Sequence, residues 1–205
     1  KRVRYITNRD DSYSLFFVAA GFTLHEKIKP MMEINSTVDL STIIAGISTP
    51  LKDDTSLDPL MNYIGDAKYV LLGEASHGTH EYYTWRARIS QRLIKEKGFS
   101  FVAVEGDWPD CYRLNRYVKN YPEAGTHAKE VLQSFNRWPT WMWANWETVS
   151  FAEWLKKFNA ALPLEKKVGF YGLDIYSLWE SMESVISYLK ANDPITLQKA
   201  LSAMN

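Results

Sequence analysis

The chain has a single cysteine, Cys111, so no internal disulfide can form and a reducing, cytoplasmic setting is the expectation. It has no surplus of either charge. The 24 Lys and Arg residues are matched by 24 Asp and Glu, which leaves no basic excess to draw it to nucleic acid or to an anionic membrane. It has no apolar run near the ~18 residues that a membrane span needs. It shows no internal repeat and no low-complexity tract. It lacks an initiator methionine: the sequence starts at Lys1 and stops at Asn205, within a stretch of helical period from Thr196 to Met204, so it reads as a piece of a longer chain. Leu15 to Leu24 has the shape of a short signal-peptide core, but Asp10 and Asp11 before it count against that role, and Met31 or Met32 offers an alternative start. What is present is 46% apolar residues over 205 positions, enough for one well-buried domain rather than a disordered segment.

Residues 1–57 are mixed and turn-rich, and read as an N-terminal extension or linker, partly irregular. From Asp58 the pattern becomes regular. Asp58 to Ile64 reads as a short helix. Lys68-Tyr-Val-Leu-Leu72 is an apolar run closed by Gly73 and reads as a buried strand. His80 to Lys97 has helical period, and Gly98 is a suitable residue to end it. Phe99 to Val104 reads as a second strand, followed by Glu105-Gly106. Helical stretches follow at Asp110 to Val118, Ala128 to Phe135 and Trp146 to Leu162. Lys167 to Tyr171 reads as a third strand ending at Gly172-Leu-Asp174, and Leu178 to Ala191 as a further helix. Strands separated by helices imply parallel pairing, hence an α/β fold with a parallel sheet core and helical insertions. In such sheets ligands bind beyond the carboxyl ends of the strands. Glu74, Glu105 and Asp174 each follow a strand, so they are expected on one rim.

The densest chemistry is in Gly73-Glu-Ala-Ser-His-Gly78 and the His80-Glu81 that follows. A carboxylate beside an imidazole fixes its tautomer and raises its basicity, which makes His77, backed by Glu74, a candidate general base for water. The plainer reading of the same residues is a helix start, where Glu and Ser are favoured as caps. Ser76 does not occupy the serine position of a G-x-S-x-G elbow, so it reads as a cap rather than a nucleophile. His77 and Glu81 would share a helix face, but the order H-x-x-H-E matches neither zinc-peptidase motif; a divalent metal is possible and none is required. Arg86, nine residues after His77, lies off that face unless the helix starts late, and otherwise reads as a solvated cation. Glu105 at a strand end needs a partner, since an unpaired buried charge is costly. Asp107 and Asp110 flank Trp108-Pro109 and fit either helix caps or site lining, and Asp174 resembles Glu105 in kind. Trp138, Trp141, Trp143, Trp146 and Trp154 crowd one region. Trp138, Trp141 and Trp146 have roughly helical spacing, which suits core packing; the alternative is an aromatic wall for a bulky apolar or sugar-bearing substrate. His80, Asp107, Trp108, Asp174 and Trp141 form the candidate substrate-lining set.

Taken together, Gly73-Glu-Ala-Ser-His-Gly78, Arg86, Phe101-Val-Ala-Val-Glu105 and Gly172-Leu-Asp174 resemble the erythromycin esterase family, and Glu105-Gly-Asp-Trp-Pro-Asp110 looks like its bacillus-type members. The resemblance runs from about Leu57 to Asp193. It implies hydrolysis of a small-molecule ester or lactone, in some bacterial members the macrolactone of macrolide antibiotics, a link to antibiotic resistance. It implies His77 as the base, Glu74 as the carboxylate that orients it, and Arg86 and Glu105 as the pair shaping the site. It also implies that residues 58–205 are the N-terminal portion of a domain about twice as long, whose later half brings further histidines. Two alternatives stand beside it. One is a non-catalytic α/β protein whose rim holds a metal, haem or glycan. The other is an inactive truncated product. Oligomeric state leaves no mark in the sequence.

Overall fold

The computed structural model describes residues 48–73 and 76–203, together with 42, 45 and 46. Most of the expected 1–57 extension, and Glu74, therefore lie outside the described residues. The chain divides into two units, Lys1–Phe99 and Ser100–Asn205.

In the first unit a 3-10 turn, Asp54–Leu57, runs directly into α1 (Asp58–Ile64), and α2 is His80–Lys97. Asp53 caps the turn by accepting the Ser56 N–H at 3.1 Å, while the Ser56 hydroxyl accepts the Asp53 N–H at 3.3 Å. α2 ends where Gly98 takes a left-handed φ of 72°, with its N–H bonded to the Leu93 carbonyl. Leu57, Met61 and Ile64 pack with Ile89 and Leu93 into one apolar cluster, and Trp85 and Phe99 close its flank. Each fully buried aliphatic side chain of this kind stabilises by roughly 1.5–3 kcal/mol. Arg92 ties the helices from outside, at 2.6 Å from both Asp58 and Glu96.

The buried strand expected at Lys68–Leu72 is not found. Only Leu71 makes a bridge, Lys68 and Tyr69 are exposed, and Val70 to Leu72 are half-buried against the cluster. An apolar run of strand length supplies side chains, but a strand also needs a ladder partner along its length, which a local pattern cannot report.

The second unit is built on β1 (Phe101–Asp107) and β2 (Gly169–Asp174), which pair in parallel. Between them lie α3 (Trp108–Val118), α4 (Ala128–Leu132) and α5 (Trp146–Ala160), the long crossover that parallel pairing requires. α6 (Leu178–Asn192) and α7 (Pro194–Ala203) follow, and neither contributes a buried residue. α3 is the centre of the unit. It packs on β2, α4 and α5, and Cys111, Leu114, Tyr117 and Val118 are fully enclosed with Leu132, Leu155 and Phe170.

Both strands begin two residues later than expected and run three residues past their expected ends, where the pairing passes through a bulge. The register pairs Val104 with Gly172 and then Asp107 with Asp174, so three steps along β1 face two along β2. The extra residue falls at Glu105-Gly106, and a bulge there bends the strand and re-aims its side chains. Gly172 makes it possible. A Cβ on Gly172 would lie 2.4 Å from the Gly106 carbonyl oxygen and 2.8 Å from that of Asp107, both backbone atoms. Gly172→Ala should lower the stability of the protein by roughly 1–3 kcal/mol, the usual scale of overpacking, in urea unfolding followed by tryptophan fluorescence. An unchanged midpoint would mean that the strands part there without cost.

Candidate active site

In the first unit the chain makes a turn at His77-Gly78, with Gly78 at φ 78°, before α2 begins at His80. His77 is therefore off the helix, and the shared face proposed for His77 and Glu81 does not exist. The helix N-cap is Thr79; Ser76 is not the cap itself but hydrogen-bonds the Thr79 hydroxyl at 2.7 Å. The late helix start puts Arg86 in the second turn of α2, half-buried, with its guanidinium 4.8 Å from the centre of the Tyr83 ring. His80 sits at the helix start, exposed, 3.4 Å from the Thr84 hydroxyl. Among the described residues no three His, Cys, Asp or Glu side chains are gathered as a metal site.

In the second unit the structure brings Glu105, Asp107 and Asp174 together at the carboxyl ends of β1 and β2. The bulge is held from within. Trp143 donates its ring N–H to the Glu105 carbonyl at 2.6 Å, and its ring meets Phe170 edge-on at 6.0 Å. Cys111 fits under Gly106, where a Cβ would be 3.0 Å from its sulfur. Burial, followed by the charges of Asp110, Asp107 and Asp174, pushes the Cys111 thiol up to about 12, so it remains an inert thiol in the core. Burial raises the Asp110 carboxyl as well, partly offset by Arg113. The charge of Asp174, then burial, then Glu105 and Asp107 raise the Tyr176 phenol above the usual tyrosine range. One Asp174 oxygen, Oδ2, is buried with no hydrogen-bond partner among the described residues.

The side chain of Asp107 is only 6% exposed. Its Oδ1 accepts the Ser177 N–H at 3.1 Å and the Ser177 hydroxyl at 3.0 Å, and its Oδ2 lies 3.1 Å from the Arg137 Nε. Nothing in the sequence singles out Arg137 or Ser177. A strand-end carboxylate signals the need for a cation, but not that it comes from a loop thirty residues on. Trp108 opens α3, half-exposed against Tyr112. The core-packing reading of the tryptophans fails at Trp138 and Trp146, which are 87% and 66% exposed, and Trp141 is half-exposed; of this set it is Trp143 that turns onto the sheet. The cause is local: Thr140–Met142 is a 3-10 turn and Trp146 the first residue of α5, so no continuous helix carries the spacing.

The family model for erythromycin esterase matches residues 94–205, a span that takes in β1, its bulge, β2 and all that lies between. The chain belongs to the erythromycin esterase family. Erythromycin esterase type II of Escherichia coli is 26% identical over 151 residues, 72% of this chain and 34% of its own length. Among solved structures, a succinoglycan biosynthesis protein matches with a TM-score of 0.60 at 30% identity, over 80% of this chain and 42% of its own. A Bacillus cereus protein matches with a TM-score of 0.56 at 28% identity, over 78% and 38%. The chain thus spans about a third of the Escherichia coli relative and about two fifths of the two solved neighbours. The erythromycin esterase-like fold is the parallel pair with helical insertions described above. No helix among the described residues is long and apolar enough to cross a membrane.

Proposed function

We propose that this chain is the N-terminal part of an erythromycin esterase-family hydrolase that cleaves a small-molecule carboxylic ester or lactone, with His77 as the general base that activates water. The observation that carries the reading is the family relationship, together with a relative that is itself named an esterase. The residues add chemistry that suits it. His77 is exposed at a turn before a helix, where water can reach the ring. Glu74 is assigned to orient that ring, Arg86 and Glu105 to shape the site and stabilise the oxyanion, and His80, Trp108, Trp141 and Asp174 to line it. No protein-bound intermediate is invoked, since a water attack needs only a base and an oxyanion donor. Residues 1–57 are assigned as an extension to the domain, and the free, buried Cys111 suits a reducing compartment.

The exposed Trp138 and Trp146 favour a second reading of the substrate, an acylated sugar stacked on aromatic faces, and one solved neighbour is named as a succinoglycan biosynthesis protein. Comparing a chromogenic short-chain ester with an acetylated pyranoside, in the whole protein that carries this chain, separates the two. Ser76→Ala should keep most of the hydrolysis, because the Ser76 hydroxyl is engaged with Thr79 and no base is assigned to it. An acyl group trapped on Ser76 and seen by mass spectrometry would overturn the water mechanism. A stoichiometric visible chromophore in a protein with no esterase activity would favour a binding role over catalysis.

A further inference from the structure

Asp107 stands where a substrate-lining carboxylate would be expected, at the end of β1, yet this chain uses up its capacity. Both oxygens are engaged: Oδ1 by the backbone N–H and hydroxyl of Ser177, Oδ2 by Arg137. A carboxylate this buried is tolerated only when it is paired and hydrogen-bonded. The contacts join three segments that are far apart in sequence: the end of β1, the loop before Trp138, and the residue that precedes α6. Arg137 reaches on to Glu180 in the first turn of α6, so the start of that helix is held twice, once from Ser177 and once from Glu180.

What lies between the anchors is the part of the rim with chemistry. Asp174 faces Asp107 in the register, and only Ile175 and Tyr176 separate it from Ser177. Asp174 Oδ2 is buried without a hydrogen bond among the described residues, so at that oxygen no bond of its own fixes its aim. Its position is imposed by β2 on one side and by the turn to Ser177 on the other. On the β1 side, Glu105 lies two residues before Asp107, within the bulge.

We propose that Asp107 is a positioning residue: with Ser177 and Arg137 it clamps the turn after β2, and so holds Asp174 and Tyr176 in place beside Glu105. The inference rests on the reading of this rim as the substrate site, but its geometry can be tested without activity. The probe is the Tyr176 phenol, whose titration is raised by the charges of Asp174, Glu105 and Asp107. It can be followed by carbon NMR of labelled tyrosine, with Tyr176→Phe giving the assignment. Asp107→Asn and Asp107→Ala remove the same charge, but the asparagine keeps a carbonyl for Ser177. A clamp therefore predicts that Tyr176 titrates at least ~0.5 pH lower in Asp107→Ala than in Asp107→Asn, because only in the alanine variant does the turn move away from Asp174. Equal titration in two folded variants would overturn the proposal. Should Asp107→Ala not fold, Ser177→Ala takes its place, compared with the unaltered protein, and an unmoved Tyr176 overturns it. In the same proteins, ester hydrolysis should fall at least ~10-fold in kcat for Asp107→Ala and recover in Asp107→Asn, with KM little changed. If the unaltered protein hydrolyses no ester, the hydrolase reading fails while the NMR comparison still decides the clamp.

Discussion

Replacing His77 with alanine should lower ester hydrolysis at least ~10²-fold in the whole protein, the scale at which a positioned general base contributes. The argument is one of placement. His77 sits in a turn, exposed, two residues short of the Thr79 that starts to cap α2 and outside any helical ladder. Its removal leaves no cavity in the core cluster of Leu57, Met61, Ile64, Ile89 and Leu93, so stability should hold within about 0.5 kcal/mol, as for other surface positions. A loss of rate without a loss of fold is thus the signature of chemistry. His80→Ala is the internal control: three residues on, it is also exposed, 3.4 Å from the Thr84 hydroxyl at the start of α2, and is assigned to line the site rather than to move a proton, so it should cost far less. Activity of His77→Ala near that of the unaltered protein, or equal losses in the two variants, would remove His77 from the base role. Recovery of rate by added imidazole would strengthen it.

The features that were legible in sequence are those whose causes are local. α2 begins and ends at the expected residues because its period is regular and Gly98 supplies the left-handed stop. α1 likewise occupies Asp58–Ile64, with Pro59 in its first turn where a missing N–H is harmless. The carboxyl-end positions of Glu105 and Asp174 followed from apolar runs ending at glycine. What was hidden depends on partners far along the chain. Glu105-Gly106 reads as the end of a strand, and only the pairing with β2 makes it a bulge inside one that continues to Asp107. Asp107 reads as a helix cap or as site lining, because nothing near it in sequence announces Ser177 or Arg137. Lys68–Leu72 had the composition of a strand without its ladder. Even the glycines divide this way: Gly98 is explained by its own φ, while Gly172 is explained only by the backbone oxygens across from it.

The largest effect on stability is expected at a residue that carries no chemistry. Asn159, in the last turn of α5, is fully buried at 0% exposure. Its amide nitrogen donates to the carbonyls of Val118 and Val168, both at 2.9 Å, and its carbonyl accepts the Val168 N–H at 2.8 Å. One side chain therefore satisfies the last residue of α3 and both backbone groups of the residue that leads into β2. Asn115 continues the pattern by accepting the Phe170 N–H at 3.0 Å. Leucine at 159 would fill a similar volume and strand three backbone groups away from water, each costing about 1–3 kcal/mol. These losses share one locus and do not add fully, so Asn159→Leu should destabilise by about 3–5 kcal/mol, a large part of the roughly 5–15 kcal/mol that holds a typical domain. Denaturant unfolding at unchanged slope would register it as a lower midpoint, and a loss under ~1 kcal/mol would mean that water replaces the amide. Asn159→Asp separates the two halves of the interaction, since it keeps an acceptor for the Val168 N–H but loses both donors. It should remain nearly as damaging, because an anion would then face two carbonyl oxygens in the core. β2 enters the sheet from Val168 and leaves it at Asp174, so an uncoupled entry should also loosen the exit. The Tyr176 phenol, which senses Asp174, should then titrate closer to an ordinary tyrosine even in whatever fraction of Asn159→Leu remains folded.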